Sequence, residues 1–142
     1  MAIRKADAVW EGDLRSGKGT MRFGSGAYQG AYSYASRFEE EAGTNPEELI
    51  GAAHAGCYSM ALSGDLTKAG FTITRIATQA TVTLGKVDGK SRITNILLAV
   101  EAVIPNITKE KFLEISEGTK SNCPVSVALS GVEITLDAKL LK

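Results

Sequence analysis

The stretch from Gly43 to Leu62 constrains this chain more than any other, because it opens with helix-initiating chemistry and continues as a helix of small residues that carries a cysteine. Asn45 is a favoured N-cap, and Pro46 suits the first helical position, where a missing N–H costs nothing and φ is already set. Glu47 and Glu48 then fall in the first turn, where the positive end of the helix dipole favours carboxylates. Gly70 suits the left-handed position after a helix C-terminus, so the helix is expected to end at Lys68 or Ala69, giving an element roughly 35 Å long at 1.5 Å per residue. Gly51, Gly56 and Gly64 each lower helix propensity by about 1 kcal/mol relative to alanine, so something must offset them. Gly51, Ala52, Ala55, Gly56, Ser59 and Ser63 leave little side chain on one side. A second long helix, of this chain or of a partner copy, is the expected neighbour.

Composition narrows the function classes. The 142 residues, 44% of them hydrophobic, are expected to form one domain spanning residues 1–142 that buries well over half of its extended surface. Sixteen basic and sixteen acidic residues leave no net charge and no basic stripe, which argues against nucleic acid as a partner. Neither a signal-peptide core nor 18 uninterrupted apolar residues occurs, so a soluble, cytoplasmic protein without a membrane partner is expected. In a reducing compartment the two cysteines read as a redox pair, as two inert thiols or as half of a metal site. A single histidine and the lack of Cys-x-x-Cys argue against zinc.

Taken in order, Lys5 to Glu11 alternates Ala6, Ala8 and Trp10 with polar residues, the period of a half-buried strand. Thr20–Phe23 and the tyrosine-bearing Ala27–Ser36 read as two further strands of a small meander, separated by glycine-bearing turns. After the central helix, Phe71–Leu84 and Ile93–Ile104 read as long strands joined at Asp88-Gly89. Thr108 is a suitable N-cap for a helix from Lys109 to about Lys120, packed through Phe112, Leu113 and Ile115. Cys123-Pro124 opens a short helical turn through Leu129. A last strand alternates Val132, Ile134, Leu136, Ala138 and Leu140 with polar residues. The pattern predicts an α+β fold, with antiparallel sheets and helices segregated from them.

Few side chains are available for chemistry. Cys57 reads either as a buried, inert helical thiol or as a nucleophile. Cys123, beside an N-cap, would have its thiolate favoured by a helix N-terminus, and local physics alone names it the more reactive of the two. His54 lies one turn before Cys57 and is either a base or a core histidine with one hydrogen bond. Arg37 and Glu47, each taken alone, are an ordinary surface residue and an ordinary helix-start carboxylate.

Arg37-Phe38-Glu39, Thr44-Asn45-Pro46-Glu47-Glu48-Leu49, His54-Ala55-Gly56-Cys57 and Cys123-Pro124-Val125-Ser126 together resemble the osmotically inducible protein C (OsmC) family, relatives of the organic hydroperoxide resistance proteins. The resemblance runs through the whole chain in order and spacing, with Gly56 where relatives often have alanine. It implies an intertwined homodimer with thiol-dependent peroxidase activity in oxidative and osmotic stress defence, acting on organic hydroperoxides and more weakly on hydrogen peroxide. By position, Cys57 corresponds to the peroxidatic cysteine, Cys123 to the resolving cysteine, Arg37 to the activating arginine and Glu47 to its carboxylate partner. An arginine just before the central helix resembles the OsmC branch of the family. No cofactor or metal is implied; an external dithiol is, with a lipoyl protein as one candidate reductant.

The implied chemistry is physically reasonable, since a buried helical thiol has its pKa raised by desolvation and a nearby cation reverses that. Glu47 and Cys57 are ten residues apart on one expected helix, about 15 Å along its axis, so either the helix bends sharply near Gly51 or, as the small-residue face and the resemblance both suggest, the carboxylate comes from the partner subunit. A non-catalytic dimer whose thiols sense redox state or bind a ligand is the alternative. A hydrolase built on Cys57 and His54 ranks last, because the oxyanion-loop motif is missing.

Overall fold

In the computed structural model, which describes residues 1–142, the strands β1 (Ala6–Glu11), β2 (Lys18–Phe23) and β3 (Gln29–Tyr32) form the expected antiparallel meander. Trp10 stands opposite Gly19 in the register and its ring lies 5.3 Å from that of Tyr32. A Cβ on Gly19 would come within 2.7 Å of the Trp10 ring, so the glycine makes room for this aromatic pair. Trp10 is the only half-buried residue of β1; Ala6 and Ala8 are exposed.

The tyrosine-bearing stretch is shorter as a strand than its composition implies. It turns into a helix, α1 (Tyr34–Phe38), because Ser33 accepts from the Ser36 N–H at 3.0 Å while the Ser36 hydroxyl accepts from the Ser33 N–H at 2.8 Å. This reciprocal cap outweighs the strand preference of Tyr34. Ser36 also donates to the Thr44 carbonyl at 2.8 Å, and the Thr44 N–H donates to Ala31, which ties the segment after α1 to the edge of β3. With the first turn of α2 (Pro46–Lys68) these elements make up a compact unit, Met1–Leu49.

Both ends of α2 follow from residue type. The Asn45 side chain accepts from the Glu48 N–H at 2.8 Å. At the other end Gly70 takes φ +91°, its N–H bonding Thr67 and that of Phe71 bonding Leu66, a Schellman closure.

The second unit, Ile50–Lys142, contains the rest of α2 with β4 (Arg75–Val87), β5 (Lys90–Val103), α3 (Lys109–Asn122), α4 (Pro124–Ala128) and β6 (Glu133–Leu141). The β4–β5 hairpin is tighter than expected: both strands run on to a two-residue turn in which Asp88 and Gly89 take φ 51° and 75°. Alternation places Ile96, Leu98, Val100 and Ala102 of β5 on the inner face. There they pack with Tyr58, Leu62 and Leu66 of α2 and Phe112 of α3, each Ile, Leu, Val or Phe among them contributing about 1.5–3 kcal/mol on burial.

Three expectations need correction. The sheet is mixed, because β6 pairs parallel to β5, Ile96 with Ile134 through Ala102 with Leu140; the α3–α4 crossover supplies the length that a parallel return requires. The close neighbour of Gly51 is a strand: a Cβ there would meet Val82 at 3.3 Å and the Ala80 carbonyl at 3.6 Å, while Gly56 and Gly64 face open space. The inner face of α3 is Phe112, Ile115, Ser116 and Thr119, and Leu113 lies 36% exposed because it is about 100° round the helix from Phe112. No helix is long and apolar enough to cross a membrane.

Phe112→Ala is accordingly expected to lower stability by about 3–5 kcal/mol, and Leu113→Ala by about 1 kcal/mol or less, in urea unfolding at constant m-value. Equal losses would contradict this orientation of α3.

Candidate active site

Cys57 and Cys123 are brought together by α2 and the α3–α4 junction. Cys123 ends α3, its N–H bonding Thr119 at 2.9 Å, and opens α4, with Pro124 at the first helical position. Because proline has no N–H, the first donors of α4 are Val125 and Ser126. The two sulfurs lie 2.9 Å apart as free thiols, Cys123 fully buried and Cys57 half-buried.

That geometry separates the two titrations. Burial pushes the Cys57 thiol up, the hydrogen bond with Cys123 pushes it further, and only the Val125 N–H acts the other way. Burial would raise Cys123 as well, but its polar neighbours, Cys57 first and then Ser126 and Val125, outweigh it and hold this thiol below its ordinary range, although its sulfur closes no capping hydrogen bond onto α4. The surroundings therefore favour the charge on Cys123 over Cys57. No cation is among the groups that set either sulfur.

His54 sits in α2, one turn before Cys57, and is fully buried; its Nε2 is 2.7 Å from Ser126 Oγ and its Nδ1 has no partner. Burial lowers its pKa, so it is neutral at physiological pH. The core-histidine reading with one hydrogen bond describes what is found. Ser126 had no role in the sequence reading, although it closes the Cys123-Pro124-Val125-Ser126 motif. The available signal was its place three residues after a thiol that caps a helix.

Arg37 and Glu47 are joined in the first unit. Arg37 Nε donates to both carboxylate oxygens at 3.1 and 3.3 Å and Nη2 donates to Oε1 at 2.8 Å, a forked pair with Glu47 nearly buried and Arg37 38% exposed at the side chain. The capping contacts of α1 and α2 fix the two backbones, and Asn45 Nδ2 adds a bond to the Ser36 carbonyl at 3.1 Å. Arg37 also borders a cavity of about 240 Å³ walled by Trp10, Leu14, Tyr32, Tyr34 and Phe38.

An α+β chain with two thiols at this distance belongs to a class of dithiol proteins, and comparison with known proteins places it within that class. Residues 39–137 match the family model described as OsmC-like protein, a span that begins two residues after Arg37. The chain is 52% identical over 138 residues to Peroxiredoxin OsmC of Escherichia coli, covering 96% of each chain. Among solved structures it resembles the organic hydroperoxide resistance protein OhrB of Bacillus subtilis (25% identity, 95% and 98% coverage, TM-score 0.71) and an OsmC-like protein from Mycoplasma pneumoniae (18% identity, 99% of each chain, TM-score 0.76). The chain belongs to the OsmC family.

To bond, the sulfurs must close by about 0.9 Å, to the ~2.05 Å of a disulfide. Mild oxidation is expected to remove two thiols per chain and form a Cys57–Cys123 bridge within it. A peptide map containing only bridges between chains would contradict the geometry.

Proposed function

We propose that this protein is a thiol-dependent peroxidase that reduces organic hydroperoxides to alcohols and works as a homodimer of single-domain chains in the cytoplasm. The observation that carries the reading is the 2.9 Å sulfur pair, in a chain half identical to a peroxiredoxin. In this reading the Cys57 thiolate attacks the terminal oxygen of ROOH. The O–O bond breaks, Cys57 becomes a sulfenic acid and the alkoxide takes up a proton. The Cys123 thiolate then attacks the Cys57 sulfur, expelling hydroxide and leaving a disulfide that an external dithiol reduces. A lipoyl protein is one dithiol of suitable chemistry, and no resident cofactor enters the cycle. Were Arg37 to serve a Cys57 site, the aromatic cavity beside it would offer room for a substrate's apolar tail.

The proton arrangement of the thiols gives Arg37 its role. With the charge resting on Cys123, attack by Cys57 needs a cation that the donors around the sulfurs do not supply. Arg37, held by Glu47, would provide it, stabilising first the thiolate and then the departing alkoxide. Glu47 and Cys57 stand ten residues apart along α2, so the forked pair is assigned to the partner's Cys57 site. An exposed stripe of α2, Ala53, Gly56, Met60 and Gly64, offers small residues around an exposed methionine on which a second copy could pack.

Cys57→Ser is expected to abolish peroxide reduction, whereas Cys123→Ser allows one oxidation and then stalls. Loss of the first step in Cys123→Ser with retention in Cys57→Ser would reverse the roles, and thiols unchanged by alkyl hydroperoxide in the wild type would favour a non-catalytic protein.

Mixing inactive Cys57→Ser chains with inactive Glu47→Ala chains should restore activity, because each heterodimer then has one intact site, and Arg37→Ala should complement in the same way. Heterodimers verified by mass that remain inactive would place the pair in its own chain's site.

A further inference from the structure

The two sulfurs of the Cys57–Cys123 pair are unequally open to a third thiol. Cys123 is 0% exposed and belongs to the packed cluster of Tyr58, Leu62 and Phe112, so no face of it is open. Cys57 lies at the edge of that cluster and keeps part of its surface, and Ala53 and Met60, its neighbours one turn away along α2, are exposed. A second copy seated on this helix could take surface from Cys57 but could give none to Cys123, which its own chain closes off. The sulfurs already stand 2.9 Å apart, so bonding them asks for no opening of α4, and the burial of Cys123 carries over to the bridged form. Exchange at a disulfide follows access, and the attacking thiolate must come in line with the bond, from the side away from the sulfur that leaves. At Cys123 that side is filled by the core.

We propose that an external dithiol opens the bridge at Cys57 Sγ alone, with Cys123 as the leaving thiolate, and that the released Cys123 is what restricts the reductant to dithiols. The route deepens the peroxidase reading and rests on it for the need to reopen the bridge. One thiolate of the reductant bonds to Cys57 Sγ, the S–S bond breaks, and its electron pair leaves on Cys123. The neighbours that favour a charge on Cys123 suit it to this part. A monothiol goes no further, because Cys123, held 2.9 Å from Cys57 in the dithiol form, attacks the mixed disulfide and expels it. Well-oriented groups in one molecule act at effective concentrations of about 10⁵ M or more, which no dissolved second thiol matches. The second thiol of a dithiol is equally well placed. It loses its proton to solvent and attacks the reductant's own sulfur in the mixed disulfide. Cys57 leaves as a thiolate and is reprotonated, and the reductant departs as a cyclic disulfide, two electrons having passed to the protein.

The test uses the bridged protein made by mild oxidation, without peroxide. Treated with mercaptoethanol and quenched in acid, it should carry the adduct on the Cys57 peptide with Cys123 free, and dithiothreitol at equal thiol concentration should reduce it at least about a hundredfold faster. An adduct on Cys123, or reduction by the monothiol at the dithiol's rate, overturns the route. Access is measured separately in single-thiol chains, as exchange with a small aromatic disulfide in the folded protein relative to the same chain in denaturant. Folding should slow Cys123 in Cys57→Ser about a hundredfold more than Cys57 in Cys123→Ser, because Cys123 reacts only through local opening. Equal slowing overturns the route as well. If Cys57→Ser does not fold, the adduct map decides alone. A Cys57 adduct in a chain that leaves alkyl hydroperoxide untouched supports the route and removes only the peroxidase reading.

Discussion

Two sulfurs 2.9 Å apart cannot both be charged. At an effective dielectric of ~20 their repulsion would be about 6 kcal/mol, or about four pKa units, so the dithiol carries at most one negative charge across the ordinary pH range. Where that charge rests is decided by the polar neighbours of each sulfur, for Cys123 its partner Cys57 first and then the start of α4. Pro124 stands at the first helical position there and removes one backbone N–H. Cys57, emerging from a helix whose own N–H groups are already bonded, has little to stabilise a thiolate. In the proposed cycle one thiol would then be ready to wait and the other dependent on help from elsewhere.

In the proposed cycle the forked Arg37–Glu47 pair would meet that second need, and it is held by geometry as well as by charge. Guanidinium and carboxylate meet through three contacts, and the backbone beneath them is fixed by two sets of cap bonds, Ser33 with Ser36 and Asn45 with Glu48. A cation so mounted loses little freedom when it meets an anion.

Much of this was legible in the residues themselves. Asn45-Pro46 and Gly70 bound α2 correctly, Asp88-Gly89 located the hairpin, and alternation gave the inner face of β5. Strand direction was not legible, because alternation in β6 is the same whether the strand runs parallel or antiparallel; only the length of the preceding crossover carries that information. The α1 helix was hidden because its cap uses Ser36 where a longer acceptor side chain is the recognisable signal. At the site, residue chemistry alone singled out Cys123 for its helix start. The significance of Cys57, Arg37 and Glu47 came from resemblance, since a half-buried thiol, a surface arginine and a helix-start glutamate are each unremarkable alone. Ser126 was invisible, because its partner His54 lies 72 residues away and only folding joins them.

The sulfurs also lie on either side of most of the second unit. Cys57 and Cys123 are 66 residues apart in sequence, and the hairpin β4–β5 and all of α3 lie between them. A bond between them would close a loop whose restriction in the unfolded chain is worth about 4 kcal/mol in the chain-entropy treatment. The spent form would then be the tougher one, and the form ready for the next encounter the easier to unfold. Each return to readiness would release a staple across the core, leaving the resting protein to rely on side-chain packing alone.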